Sequence, residues 1–169
     1  MRLWFTADHH FGHVKIIDSN HRPSSSTTEM EEMMIERWNA TVGDCDEVWH
    51  LGNFAYQCAP DRMAELFARL SGHAIHLVRS KHDQQATLDL PWSSVRQYAE
   101  IRYGGRLLIA FDHTRNYSQN FDRRSVILHG CCVDDHAHAT NCCNVGVGAW
   151  DFRPVSLEEI LDRLESADR

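Results

Sequence analysis

The residues able to do chemistry stand in short polar groups, each placed at the end of an apolar run. Asp8-His9-His10 follows Leu3-Trp4-Phe5-Thr6-Ala7, and Gly52-Asn53 follows Val48-Trp49-His50-Leu51. His82-Asp83 comes after the run from Ala74 to Arg79, and Asp112-His113 closes the run from Arg106. Carboxylate, imidazole and amide groups are the donors that hold a hard or borderline divalent cation. Taken alone, each group is more simply a hydrogen-bonded structural feature. Side chains at the tips of one sheet are neighbours in space, so their shared placement points to convergence on one metal-binding site. The chain also carries 12 histidines, more than packing alone requires, which directs attention to this side chain.

The elements that would position these groups can be read from periodicity. Residues 2–7, 47–51 and 74–79 read as strands. Between them, 29–40 reads as an amphipathic helix opened by a Thr28-x-x-Glu31 capping box, with Met30, Met33, Met34 and Trp38 as a core stripe. A second helix starts at Pro60, carries Met63, Leu66, Phe67 and Leu70 on one face, and is closed by Gly72. Strand, helix, strand, helix, strand is the order of a parallel α/β unit, whose sites form beyond the carboxyl ends of the strands. Further on, 98–103, 106–112, 125–129 and 143–147 read as strands of a second sheet, with Gly104-Gly105 as a hairpin turn. A Ser156-x-x-Glu159 capping box opens a last helix with Leu157, Ile160, Leu161 and Leu164 on its apolar face. The economical architecture is one sandwiched α/β domain over 1–169, with no internal repeat or linker.

Composition narrows the function classes. A chain of 169 residues buries roughly 70% of its unfolded surface as one domain. With 43% hydrophobic and 24% charged residues it is neither disordered nor fibrous. A net charge of −7 opposes bulk binding to a nucleic-acid backbone. The N-terminal apolar run meets Asp8 before it resembles a signal peptide or a membrane span, so a cytoplasmic location with no membrane partner is the expectation. The six cysteines, two pairs of them adjacent, suit reduced thiols better than a disulfide framework. His129, Cys131, Cys132, His136, His138, Cys142 and Cys143 crowd one segment without Cys-x-x-Cys spacing, which leaves buried thiols and loop histidines as the simple reading and a structural zinc as the sharper one. Trp4, Trp38, Trp49, Trp92 and Trp150 read as core and rim packing. No Gly-x-x-x-x-Gly-Lys-(Ser/Thr) motif is present, so nothing points to an ATPase.

In order along the chain, Asp8-His9-His10, Gly52-Asn53, Ser80-Lys81-His82-Asp83, His113 and Gly130-Cys131-Cys132-Val133 follow a known pattern. The chain resembles the calcineurin-like metallophosphoesterases, whose motifs run Asp-x-His, Gly-Asp, Gly-Asn-His-(Asp/Glu), a lone His, and Gly-His-x-His. The flanks Trp4 to His13, His50 to Phe54, Asn144 to Val147 and Trp150 to Leu157 resemble a small single-domain bacterial or phage-type branch. The resemblance implies a four-layer α/β/β/α sandwich with a two-metal site at the sheet edge. In that family two divalent cations (Mn, Fe, Zn or Mg) clamp phosphoryl oxygens and activate a bridging water, and the His of Gly-Asn-His assists the leaving group. Carried over by position, Asp8, His10, Asn53, His113 and Cys131 fall on metal-ligand positions, and His82 with Asp83 on the acid and its orienting partner.

The chain departs from the pattern where charge matters most. Asn53 stands at the bridging carboxylate, and a neutral amide is a poor bridge between two mutually repelling cations. Cys131 stands for a His, Val133 removes an imidazole, and Lys81 puts an ammonium where an amide ligand is expected. Lys81 reads either as a solvent-facing side chain or, with His82, His113 and His10, as part of a phosphate-binding cluster in which lysine replaces metal. The implied function is phosphoester hydrolysis by an impaired centre of one or two ions. The alternative is a catalytically degenerate domain that binds a phosphorylated small molecule, a nucleotide or a partner protein. Loops 19–28 and 112–124, the latter with Arg115, Arg123 and Arg124, would shape selectivity.

Overall fold

The structure is a computed structural model that describes residues 1–19, 22–111, 125–130 and 141–167. Strands β1 (Leu3–Thr6), β2 (Glu47–His50), β3 (Ala74–Val78) and β4 (Ser94–Arg96) pair in parallel, and β9 (Val155–Ser156) adds to the free side of β1 in antiparallel sense. Parallel neighbours need crossovers. These are supplied by α1 (Ile16–Ser19) and α2 (Thr27–Thr41) between β1 and β2, by α3 (Pro60–Ala68) between β2 and β3, and by α4 (Gln85–Leu88) before β4. A second sheet takes β5 (Ala99–Tyr103), β6 (Arg106–Phe111), β7 (Val126–His129) and β8 (Cys142–Asn144) in that order, antiparallel only at its β5–β6 edge. Helix α5 (Leu157–Ala167) follows β9 directly.

Burial on both faces explains the apolar run Leu3-Trp4-Phe5 of β1, with Thr6 buried at its end. Leu3 and Phe5 join Trp49, Leu51, Leu108, Ala110, Val126 and Leu128 in a core between the sheets, which α5 closes with Leu157 and Ile160. Trp4 and Val48 face the other way, into a core under Met30, Met34 and Trp38 of α2 and Met63 and Leu66 of α3. The molecule is therefore an α/β sandwich of two packed sheets flanked by helices. The outer face of the second sheet carries Ile109, Phe111 and Ile127.

Several boundaries differ from the sequence reading, each for a physical reason. The N-cap of α2 is Ser26, whose hydroxyl accepts from the Glu29 amide at 3.2 Å, while the Glu29 carboxylate turns back to Ser25. The Thr28-x-x-Glu31 box does not form because Glu31 is drawn inward to the Gly12 amide (3.1 Å) and Arg62 (2.9 Å). Helix α3 ends at Ala68 with Arg69 as its cap, and Gly72, at φ 138°, belongs to the turn into β3. The strand read over 143–147 stops at Asn144 and gives way to a 3-10 turn at Val147–Ala149, and neither β4 nor β9 is evident from periodicity. The Ser156–Glu159 box forms with both reciprocal bonds, at 3.0 and 3.3 Å. Gly104 and Gly105, at φ 57° and 74°, make the two-residue turn between Tyr103 and Arg106. The tryptophans pack as expected: Trp4, Trp38, Trp49 and Trp150 are buried, and Trp92 packs against the helix-side core.

Candidate functional site

The register Thr6↔His50↔Leu77 brings β1, β2 and β3 to one level, so the segments that follow them meet at one sheet edge. Pairing continues past the strands: the amides of Asp8, His10 and Phe11 donate to the carbonyls of Gly52, Asn53 and Phe54 at 3.0–3.1 Å. To do so the chain takes left-handed backbone at Asp8 (φ 62°), His10 (φ 53°) and Asn53 (φ 55°). For non-glycine residues this conformation is strained, and strain of this kind collects where a site must be held in place. Gly52, at φ 81°, allows the close approach, since a Cβ there would stand 2.6 Å from Ser80 Cβ. Gly146 does the same for the β8 side, where a Cβ would meet Asp8 Oδ2 at 2.6 Å.

Within this edge the side chains form one directed relay. Asn53 Nδ2 donates to Asp8 Oδ1 at 2.8 Å, Ser80 Oγ donates to Asn53 Oδ1 at 2.9 Å, and the His82 amide donates to Ser80 Oγ at 2.9 Å. The direction is fixed by chemistry. An ionised carboxylate only accepts, so the Asn53 NH2 must face Asp8, and the hydroxyl that already accepts from His82 sends its proton to the amide oxygen. Asp83 is buried and its carboxylate accepts from the amides of Ser80 (2.7 Å), Asn53 (3.2 Å) and Phe54 (3.1 Å). Burial pushes its carboxyl above the ordinary carboxylate range against the pull of these donors. Asp83 thus acts on the backbone, joining the β2 and β3 tips and placing the loop from which Lys81 and His82 project, both exposed.

His10 is half-buried, and burial, reinforced by the charge of Arg22 and by His13 and His82, lowers it to about 4, so it is neutral at pH 7. Arg22, only 7% exposed, is a residue that sequence reasoning missed. Its guanidinium donates to the carbonyls of Asp8 (2.7 Å) and His9 (2.6 Å) and lies against the sulfurs of Met30 and Met34. It holds the strained turn from behind. Burial lowers it to about 10, partly countered by Asp8, so it stays charged.

A second missed feature lies beneath the site. His9 and His50 are fully buried, with His9 Nδ1 2.9 Å from His50 Nε2. Their other nitrogens, His9 Nε2 and His50 Nδ1, have no hydrogen-bond partner among the described residues. Burial, together with repulsion from neighbouring charged groups, pushes His9 well below its usual range and His50 to about 3. An unfolded histidine takes a proton near pH 6.5, whereas these do so only far lower. Their contribution to stability is therefore complete above pH 6.5 and lost as pH falls through 6.5 toward 3. One such group removes about 2 kcal/mol between pH 7 and pH 5. Urea denaturation should show the midpoint falling across that interval, and a flat profile would contradict the buried neutral pair.

A two-cation centre needs at position 53 an oxygen shared by both ions. Here the amide presents its NH2 to Asp8 and its oxygen to Ser80, and among the described residues no group of three His, Cys, Asp or Glu is arranged to hold a metal. The Asn53 amide is thus committed on both sides, to Asp8 and to Ser80. His113 and Cys131, with Asp112, Cys132, Val133, His136, His138 and the loop arginines, lie outside the described residues. Cys45, Cys58 and Cys143 are free thiols, and burial raises Cys143 to about 11, which keeps it protonated. Among the described residues no helix is long and apolar enough to cross a membrane.

No family model matches the chain. An uncharacterised protein of Methanocaldococcus jannaschii is 27% identical over 177 aligned residues, covering 97% of this chain and 92% of that protein. The crystal structure of a protein of unknown function from Aquifex aeolicus is similar with a TM-score of 0.75 at 19% identity, over 96% of this chain and 98% of that one. The phosphoesterase Yfce from E. coli has a TM-score of 0.48 at 12% identity, over 86% of this chain and 78% of that one. The likeness to the Aquifex aeolicus protein establishes that this α/β sandwich is a shared fold over almost the whole chain.

Proposed function

We propose that the edge formed by the β1, β2 and β3 tips binds a phosphorylated small molecule or nucleotide without a two-metal centre, and that hydrolysis there is correspondingly slow. The observation that carries this reading is the relay through Asn53. Two facing carboxylates would need cations to offset their repulsion, whereas an amide donating to Asp8 satisfies the site by itself. Beside it, Lys81 and His82 project into solvent from the loop that Asp83 fixes, and an ammonium can meet a phosphate oxygen as a point charge.

Inorganic phosphate should raise the melting temperature of the chelator-treated protein by a few degrees, and Lys81→Ala should remove the shift. No shift in either protein would end this reading. A second reading, slow phosphoester hydrolysis through one divalent cation on Asp8 and His10 with His113 and Cys131, is favoured by the left-handed backbone kept at Asp8 and His10.

A further inference from the structure

Beside His10 the mouth of the site exposes apolar surface. Tyr56 is 39% exposed and Val14 68%, and both adjoin His13: Val14 follows it in the chain, and the Tyr56 ring lies 4.4 Å from the His13 ring at 43°. The His13 ring in turn lies 5.4 Å from that of His10, with the two Nδ1 atoms 3.4 Å apart. A continuous row of rings therefore leads from the site to solvent. Its backbone is held firmly. The Tyr56 amide donates to the Phe11 carbonyl at 2.9 Å, and Phe11 bridges Ala55. Gly12 packs so closely on Cys58 that a Cβ there would stand 2.7 Å from Cys58 Cβ, and its amide is anchored on Glu31.

We propose that Tyr56 and His13 form a shelf that stacks the ring of a phosphoester, so that the ligand class is a nucleoside monophosphate or similar aromatic phosphoester. The inference rests on the phosphate site proposed above and adds what the rest of the ligand is. Aromatic side chains held at the edge of a charged groove stack bases through the ring face, which every base presents. A preformed shelf gives that affinity without an ordering cost at binding.

The test is calorimetric titration of chelator-treated protein with inorganic phosphate, ribose 5-phosphate and adenosine 5′-monophosphate. Adenosine 5′-monophosphate should bind at least about tenfold tighter than ribose 5-phosphate. Tyr56→Ala should close that gap and Tyr56→Phe should keep it. If phosphate binds but the two esters bind equally, or the gap survives Tyr56→Ala, the shelf is overturned and the phosphate site stands. If none of the three binds, both readings fall together.

Discussion

Asn53→Asp should make the stability of the protein depend on divalent cations. At present Asn53 Nδ2 lies 2.8 Å from Asp8 Oδ1. Replacing that donor by a second carboxylate removes a charge-assisted hydrogen bond and sets two anions against each other in a partly buried site. A penalty of this kind is about 3 kcal/mol. In a domain of this size that is about 10 °C in melting temperature. At low pH the pair would share a proton and soften the effect, so pH 8 is the condition of choice. The variant should melt about 10 °C below the natural chain in chelator and recover most of the difference in millimolar manganese. The natural chain should melt at the same temperature in both. A natural chain already stabilised by manganese would contradict the role given to the Asn53 amide.

The same substitution separates two properties that run together in a metal site, since a bridging carboxylate recruits cations and also destabilises the protein without them. Asn53 removes both effects at once. The strained turn remains, and its support is elaborate: Arg22 on the Asp8 and His9 carbonyls, Asp83 on three amides, and glycines at 52 and 146 where a Cβ would collide. Stability alone does not require such a turn, because left-handed non-glycine residues are costly.

Much of the architecture is legible in the chain because apolar runs of strand length alternate with helical stripes, and that alternation is what packs two sheets between helices. The two-residue Gly104-Gly105 turn and the Ser156–Glu159 box are legible for the same reason: each is local chemistry. The start of α2 is ambiguous in sequence because two Ser/Thr-x-x-Glu patterns overlap, and only the tertiary demand of Gly12 and Arg62 on Glu31 decides between them. At the site, Asp8, His10, Asn53, Lys81, His82 and Asp83 stand on adjoining tips as strand order dictates. Arg22 carried no signal, because a lone arginine in a Ser-rich loop reads as solvated until the fold buries it. The His9–His50 pair was equally silent, since neither residue shows from sequence which face of the sheet it will occupy. The direction of the Asn53 relay depends on Ser80 and on the His82 amide, contacts that no spacing rule encodes.

Manganese-dependent hydrolysis of bis(4-nitrophenyl) phosphate tests most directly whether this edge works without a two-metal centre. The natural chain should be compared with His10→Ala and with a variant combining Asn53→Asp, Lys81→Asn, Cys131→His and Val133→His, which completes the pattern the chain resembles. Metal content should be measured on each sample. Supplying a shared carboxylate, removing an ammonium and adding two imidazoles gives a paired-cation clamp the ligands it needs, and stabilisation of this type is worth at least about 100-fold in rate. The expected result is turnover near background for the natural chain and for His10→Ala, with at least about 100-fold more from the combined variant together with bound manganese. A natural chain that turns over as fast as the combined variant, and loses that activity in His10→Ala, would contradict the account.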